Sequence, residues 1–183
     1  MRTSTPEQLL KIVDEIDAKG QASLTRLTVL KKWFERPKRL YAFALWTAAR
    51  AVSRKGKTGG AAAVLFLEAR ALLAGLDKTT PKLNRQAAQR LHDRLQDFHN
   101  EYKNQQWGPV RIVHSWNLLL VEEALDICLW HADSPSHGYK LAADYCRHYD
   151  SRYGTSLNGP SRAKIKEIVR FMFVVEALED GRK

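Results

Sequence analysis

Apolar residues recur along most of this chain at intervals of three and four, the period of one helical face. Between Pro81 and Trp107 the positions Asn84, Ala88, Leu91, Leu95, Phe98 and Tyr102 step by four and three in turn, which marks a helix-packing seam. In the last segment Ile165, Ile168, Val169, Met172, Phe173 and Val175 cover more than one face, so this helix is read as central and largely buried. Ile168, Phe171, Met172 and Trp130 are placed in the core. Val110 to Val113 alternates, but no second strand is available to pair with it, and it is read as helix.

Six prolines punctuate the pattern. Proline suits the first turn of a helix, where its missing N–H has no intrahelical partner to lose. Thr5-Pro6 therefore opens a helix to Lys19, stopped by Gly20, and Arg36-Pro37 opens one to Lys55, stopped by Gly56. Thr80-Pro81 opens a helix to about Lys103, Gly108-Pro109 one to about His131, Ser134-Pro135 one to about Tyr153, and Gly159-Pro160 the last. Two helices lack a proline: Ser23 to Glu35, with Ser23 as N-cap, and Ala61 to Leu76, closed near Gly75. The reading is an all-α single domain over 1–183 of about eight helices, either an irregular bundle or two apposed four-helix groups with a weak subdivision near 104–109. The pair Leu45-Trp46-Thr47-Ala48 and Leu129-Trp130-His131-Ala132 matches in three of four places, but the match ends within a few residues and is read as chance.

Composition narrows the class. With 183 residues, 44% hydrophobic and 27% charged, the chain is long enough to bury a core and is not of disordered composition. Two cysteines cannot form a disulfide framework in a chain of this size, which suggests a reducing compartment. No signal-peptide pattern is found, and the longest apolar run, Ala61 to Leu67, is too short to span a bilayer. A soluble cytoplasmic protein is expected.

The formal net charge of +10 is unevenly distributed. Residues 1–60 carry 13 Lys/Arg against 5 Asp/Glu, whereas residues 121–183 carry 9 against 10. Between Arg26 and Lys57 only Glu35 opposes ten cations, an asymmetry that points to a polyanionic partner. On a helical wheel Leu40, Ala44, Ala48 and Ala51 gather on one side. Arg39, Phe43, Trp46, Arg50, Arg54 and Lys57 gather on another, and Lys31, Lys32 and Arg36 widen that stripe. A basic stripe with aromatics inside it suits phosphate contacts with stacking nearby, and equally a solvated face whose aromatics pack on a neighbouring helix.

Other constellations carry less. Gly56-Lys57-Thr58 has Ala51 where a phosphate-binding loop needs glycine, and a helix in front of it instead of a strand. His92-Asp93 lacks the upstream histidine that a helical metal-dependent phosphohydrolase requires, and His92 and His99 are read as polar flank residues. Cys128, His131, His137, Cys146 and His148 have metal-ligand chemistry without converging spacing, since Cys146 and His148 point about 200 degrees apart on a helix. No metal and no cofactor is expected. A secondary polar region comprises His131, His137, Tyr139, Tyr145, Arg147, His148 and Arg152, with residue types for acid–base work but no recognisable spacing of nucleophile and base. The function read from the sequence is non-enzymatic binding of nucleic acid, DNA or RNA, through the basic N-terminal helices. An adaptor for an acidic protein is the alternative, and an enzyme using 131–162 the third.

Overall fold

A computed structural model describes residues 4–20, 22–53, 60–74, 82–103, 109–150 and 155–181. Among them are eight α-helices: α1 (Thr5–Lys19), α2 (Leu30–Trp33), α3 (Pro37–Ser53), α4 (Gly60–Ala74), α5 (Arg85–Lys103), α6 (Pro109–Trp130), α7 (Pro135–Cys146) and α8 (Arg162–Asp180). A 3₁₀ helix, Leu24–Val29, runs directly into α2, and a hairpin of β1 (Arg147–Asp150) and β2 (Thr155–Pro160) separates α7 from α8. Among the described residues the fold is all-α apart from this hairpin. No helix among the described residues is long and apolar enough to cross a membrane.

The chain divides into two compact units, with breaks after Leu40 and after Ala132, and residues 104–108 lie outside the described residues. The first unit comprises residues 1–40, 133–150 and 155–183. In it α1 packs on α8, and α2 packs on α7. Leu9, Ile12 and Val13 form the buried face of α1 by their i, i+3, i+4 spacing. The Ser4 N–H donates to Glu7 Oε2 at 3.0 Å, and Gly20, at φ 75°, ends the helix by donating to Ile16 O at 2.8 Å. Ser23 caps the 3₁₀ helix by accepting from Thr25 N. Gly138 of α7 lies so close to Phe34 and Leu40 that a Cβ there would meet Leu40 Cδ1 at 2.5 Å.

The second unit comprises residues 41–132 together with 151–154. Here α5 and α6 pack antiparallel, and α4 lies against both. Ala88, Leu91 and Leu95 of α5 are buried as the seam requires, whereas Asn84 is exposed and caps the helix, its Oδ1 accepting from Ala87 N at 3.1 Å.

Four prolines open helices where expected: Pro6, Pro37, Pro109 and Pro135. Pro81 lies outside the described residues, and α5 begins only at Arg85. Two boundaries are corrected. The helix from Pro135 ends at Cys146, because Arg147 turns extended (φ −55°, ψ 134°) and starts the hairpin. Pro160 closes β2, a strand-end position where its missing N–H does no harm, and α8 starts two residues later behind an extended Ser161. The core is also corrected. Ile168 and Met172 are buried and Phe171 is half-buried, but Trp130, at the end of α6 and edge-on to His92, is 43% exposed.

Candidate functional site

The basic segment in the first unit is built on an amphipathic turn. Leu30, Trp33 and Phe34 recur at i, i+3, i+4 and are buried, as is Leu40. The residues between them are forced outward, so Lys31, Lys32, Glu35, Arg36 and Lys38 are exposed. Trp33 packs edge-on against Phe34 and Phe171, at centroid distances of 5.6 and 6.2 Å. Lys31 Nζ lies 5.1 Å from the centroid of the Tyr139 ring, a cation–π contact. Lys32 and Lys38 form no ion pair among the described residues.

Two arginines of the segment converge on the last turn of α8. Arg39 donates from Nε at 3.1 Å and from Nη2 at 2.5 Å to the Glu179 carboxylate, and Arg36 Nη1 reaches Glu179 Oε2 at 3.1 Å. Arg39 also lies 5.0 Å over the Trp33 ring, and the indole Nε1 donates to Glu176 Oε1 at 2.8 Å. The hydrogen bond from Arg39 holds the Glu179 carboxyl below its ordinary range, with burial opposing it and the charges of Arg39 and Arg36 adding to it. The Arg39 side chain is 13% exposed and that of Arg36 66%. Glu35, Arg36, Lys38, Arg39, Glu176, Glu179 and Asp180 line an open cleft of about 830 Å³.

The stripe drawn on the wheel does not survive intact. Arg39 is tied to Glu179, and Phe43, in the second unit, is fully buried. Trp46 is half-buried and lies against Phe43 with ring centroids 5.7 Å apart, whereas Arg50 is exposed. Arg54 and Lys57 lie outside the described residues. The four described positions of that wheel sector thus divide among a salt-bridged cation, a core ring, a packed indole and an exposed cation, because the wheel takes no account of what packs on each turn.

Several of the secondary polar residues engage partners of their own. His137 Nδ1 is 2.7 Å from Ser134 Oγ at the start of its own helix, and Tyr139 lies under Lys31. Tyr145 is buried, its hydroxyl donating to Glu167 and Lys164 Nζ lying 5.2 Å from its ring centroid. Arg147 pairs with the buried Asp144 at 3.0 Å. His148 is in β1, and Arg152 lies outside the described residues. His131 belongs to the second unit, its Nε2 3.6 Å from Asp126 Oδ2.

The second unit holds a feature that the wheel missed. Arg85, His92 and His99 of α5, seven residues apart, all turn toward α6. Arg85 Nη2 donates to Leu129 O at 3.0 Å, His92 Nε2 is 3.8 Å from Asp126 Oδ1, and His99 pairs with Glu122. His92 is buried, its Nδ1 without a hydrogen-bond partner among the described residues, and the His99 side chain is only 12% exposed, so neither histidine is the flank residue expected. Their seven-residue spacing was the available signal, since two helical turns return a side chain to the same face. The thiols are quiescent: burial pushes Cys128 and Cys146 each up to about 12, which leaves them protonated near neutrality. The chain matches no protein-family model, no curated protein and no solved structure.

Proposed function

We propose that this protein binds nucleic acid without catalysis, through the exposed cations of the α2–α3 segment. The supporting observation is that Lys31, Lys32, Arg36 and Lys38 project outward within eight residues, anchored from beneath by buried Leu30, Trp33, Phe34 and Leu40. Anchored cations at this density suit the regular charge of a phosphodiester backbone, where each neutralised phosphate releases condensed counterion. Lys31 rests on Tyr139, which limits its freedom and lowers the cost of ordering it. Phosphate contacts of this kind carry no sequence information, so sequence-tolerant binding to DNA or RNA is expected.

The test is fluorescence anisotropy of a labelled oligonucleotide across a salt series. Three to four contacts give a log–log slope of roughly −3. Replacing Lys31, Lys32 and Lys38 together by glutamine should make that slope shallower by about 2 to 3. Absence of salt-dependent binding at micromolar protein would refute the reading, and retention of an acidic protein instead would reassign the face.

A further inference from the structure

Arg39, in the first turn of α3, and Arg36, the residue before that helix, share a carboxylate partner on another helix. Arg39 offers its planar fork through Nε and Nη2, and Arg36 adds Nη1, so three N–H groups meet at Glu179. A guanidinium fork presented this way binds a phosphate as readily as a carboxylate. The two sides of the contact differ in firmness. The arginines lie between buried Phe34 and buried Leu40, whereas Glu179 sits in the last turn of α8, two residues before Gly181. A terminal helical turn opens at small cost compared with a packed one. The cleft, which Lys38 also lines, leaves the pair open to solvent on one side.

We propose that Arg36 and Arg39 form a phosphate subsite held closed by Glu179, and that a nucleic-acid phosphate displaces this carboxylate when the backbone docks on Lys31, Lys32 and Lys38. The proposal rests on the nucleic-acid reading and deepens it: Glu179 sets affinity by competing for the two arginines.

Glu179→Gln removes the competitor's charge and keeps its shape. With a labelled oligonucleotide at about 0.1 M salt, it should tighten binding by about tenfold per freed contact and steepen the salt slope by about 1 to 2. Adding Arg36→Gln should take back at least one contact of that gain. Glu176→Gln, on the same helix as Glu179, removes the acceptor of Trp33 Nε1 and a more distant carboxylate 3.7 Å from Arg39 Nη1, and should give a clearly smaller gain than Glu179→Gln. Salt-dependent binding by the wild type that Glu179→Gln does not change overturns the subsite and leaves the nucleic-acid reading intact. A gain without a steeper slope, or an equal gain from Glu176→Gln, overturns it by tracing the effect to a loosened α8. Failure of both wild type and Glu179→Gln to bind overturns both proposals. If Glu179→Gln does not fold, Glu179→Asp replaces it, with a smaller gain expected and no gain counting against the subsite.

Discussion

The α2–α3 segment of the first unit and α4 of the second dispose of their charges in opposite ways. In α2–α3 the apolar residues Leu30, Trp33 and Phe34 turn inward and the lysines outward. In α4 the two charged residues are engaged within the unit, Glu68 by Arg94 and Arg70 by the carbonyl of Val52 at 2.6 Å. Its exposed stripe is Gly60, Ala61, Val64, Leu67, Ala71 and Ala74, with Leu67 64% exposed. Burial therefore follows the partners an element meets, and hydropathy alone ranks these two segments wrongly: the more apolar helix shows more apolar surface.

The largest effect that would break this comparison concerns two aromatic rings of the second unit. Phe43→Ala, at a fully buried ring, is expected to lower the unfolding free energy by about 3–5 kcal/mol. Trp130→Ala, at a ring nearly half exposed, should cost no more than about 2 kcal/mol. Urea denaturation measures both, and a Trp130 cost matching that of Phe43 would restore it to the core.

The thiols sharpen the comparison because each unit holds one. Cys128 and Cys146 are pushed from 9.0 to about 12 by burial, so the unfolded chain ionises first as pH rises. Their contribution is fully present below pH 9 and is lost as pH climbs toward the folded value, by about 1 kcal/mol per thiol per pH unit. Thermal melts between pH 8 and 11 should fall more gently in a Cys128→Ala, Cys146→Ala double variant. Glu179 acts with the opposite sign: its lowered carboxyl supports the fold above its ordinary pKa of 4.5, and that support is lost as pH falls through the folded value.

How much of this was legible in the sequence depends on range. Proline at the first turn and glycine at the end are local rules, and Pro6 with Gly20 delimited α1 to within a residue. The hairpin was not legible, because its two strands become strands only by pairing with each other. The cations of α2–α3 were legible as a cluster, whereas the capture of Arg39 by Glu179 was not, since the two lie 140 residues apart. Phe43 and Trp46 shared a sector with Arg50, and only packing separated them.

A smaller effect probes the closest contact in the first unit. Gly138→Ala would place a methyl 2.5 Å from Leu40 Cδ1 and 2.7 Å from Phe34 Cδ2, both in a filled core. Overpacking of this kind costs about 1–3 kcal/mol, and calorimetry should register it as a lowered Tm. An unchanged Tm would mean that α7 can move away from this contact without loss.

The smallest effects are expected on the basic face itself, and they separate cations that serve the fold from those that do not. Lys31, Lys32 and Lys38 are exposed, and removing an exposed side chain away from caps and cores changes stability by no more than about 0.5 kcal/mol. The triple glutamine variant should therefore melt with the wild type while losing salt-dependent binding. Arg39→Gln should behave differently. It gives up the fork on Glu179 and the stacking on Trp33 from a side chain only 13% exposed, so a loss of about 1–2 kcal/mol is expected. Equal stability of the two variants would mean that the Arg39–Glu179 contact adds nothing to the fold. Destabilisation by the lysine variant would mean that the exposed cations are held by contacts of their own, and its loss of binding would then cease to be evidence for a phosphate face.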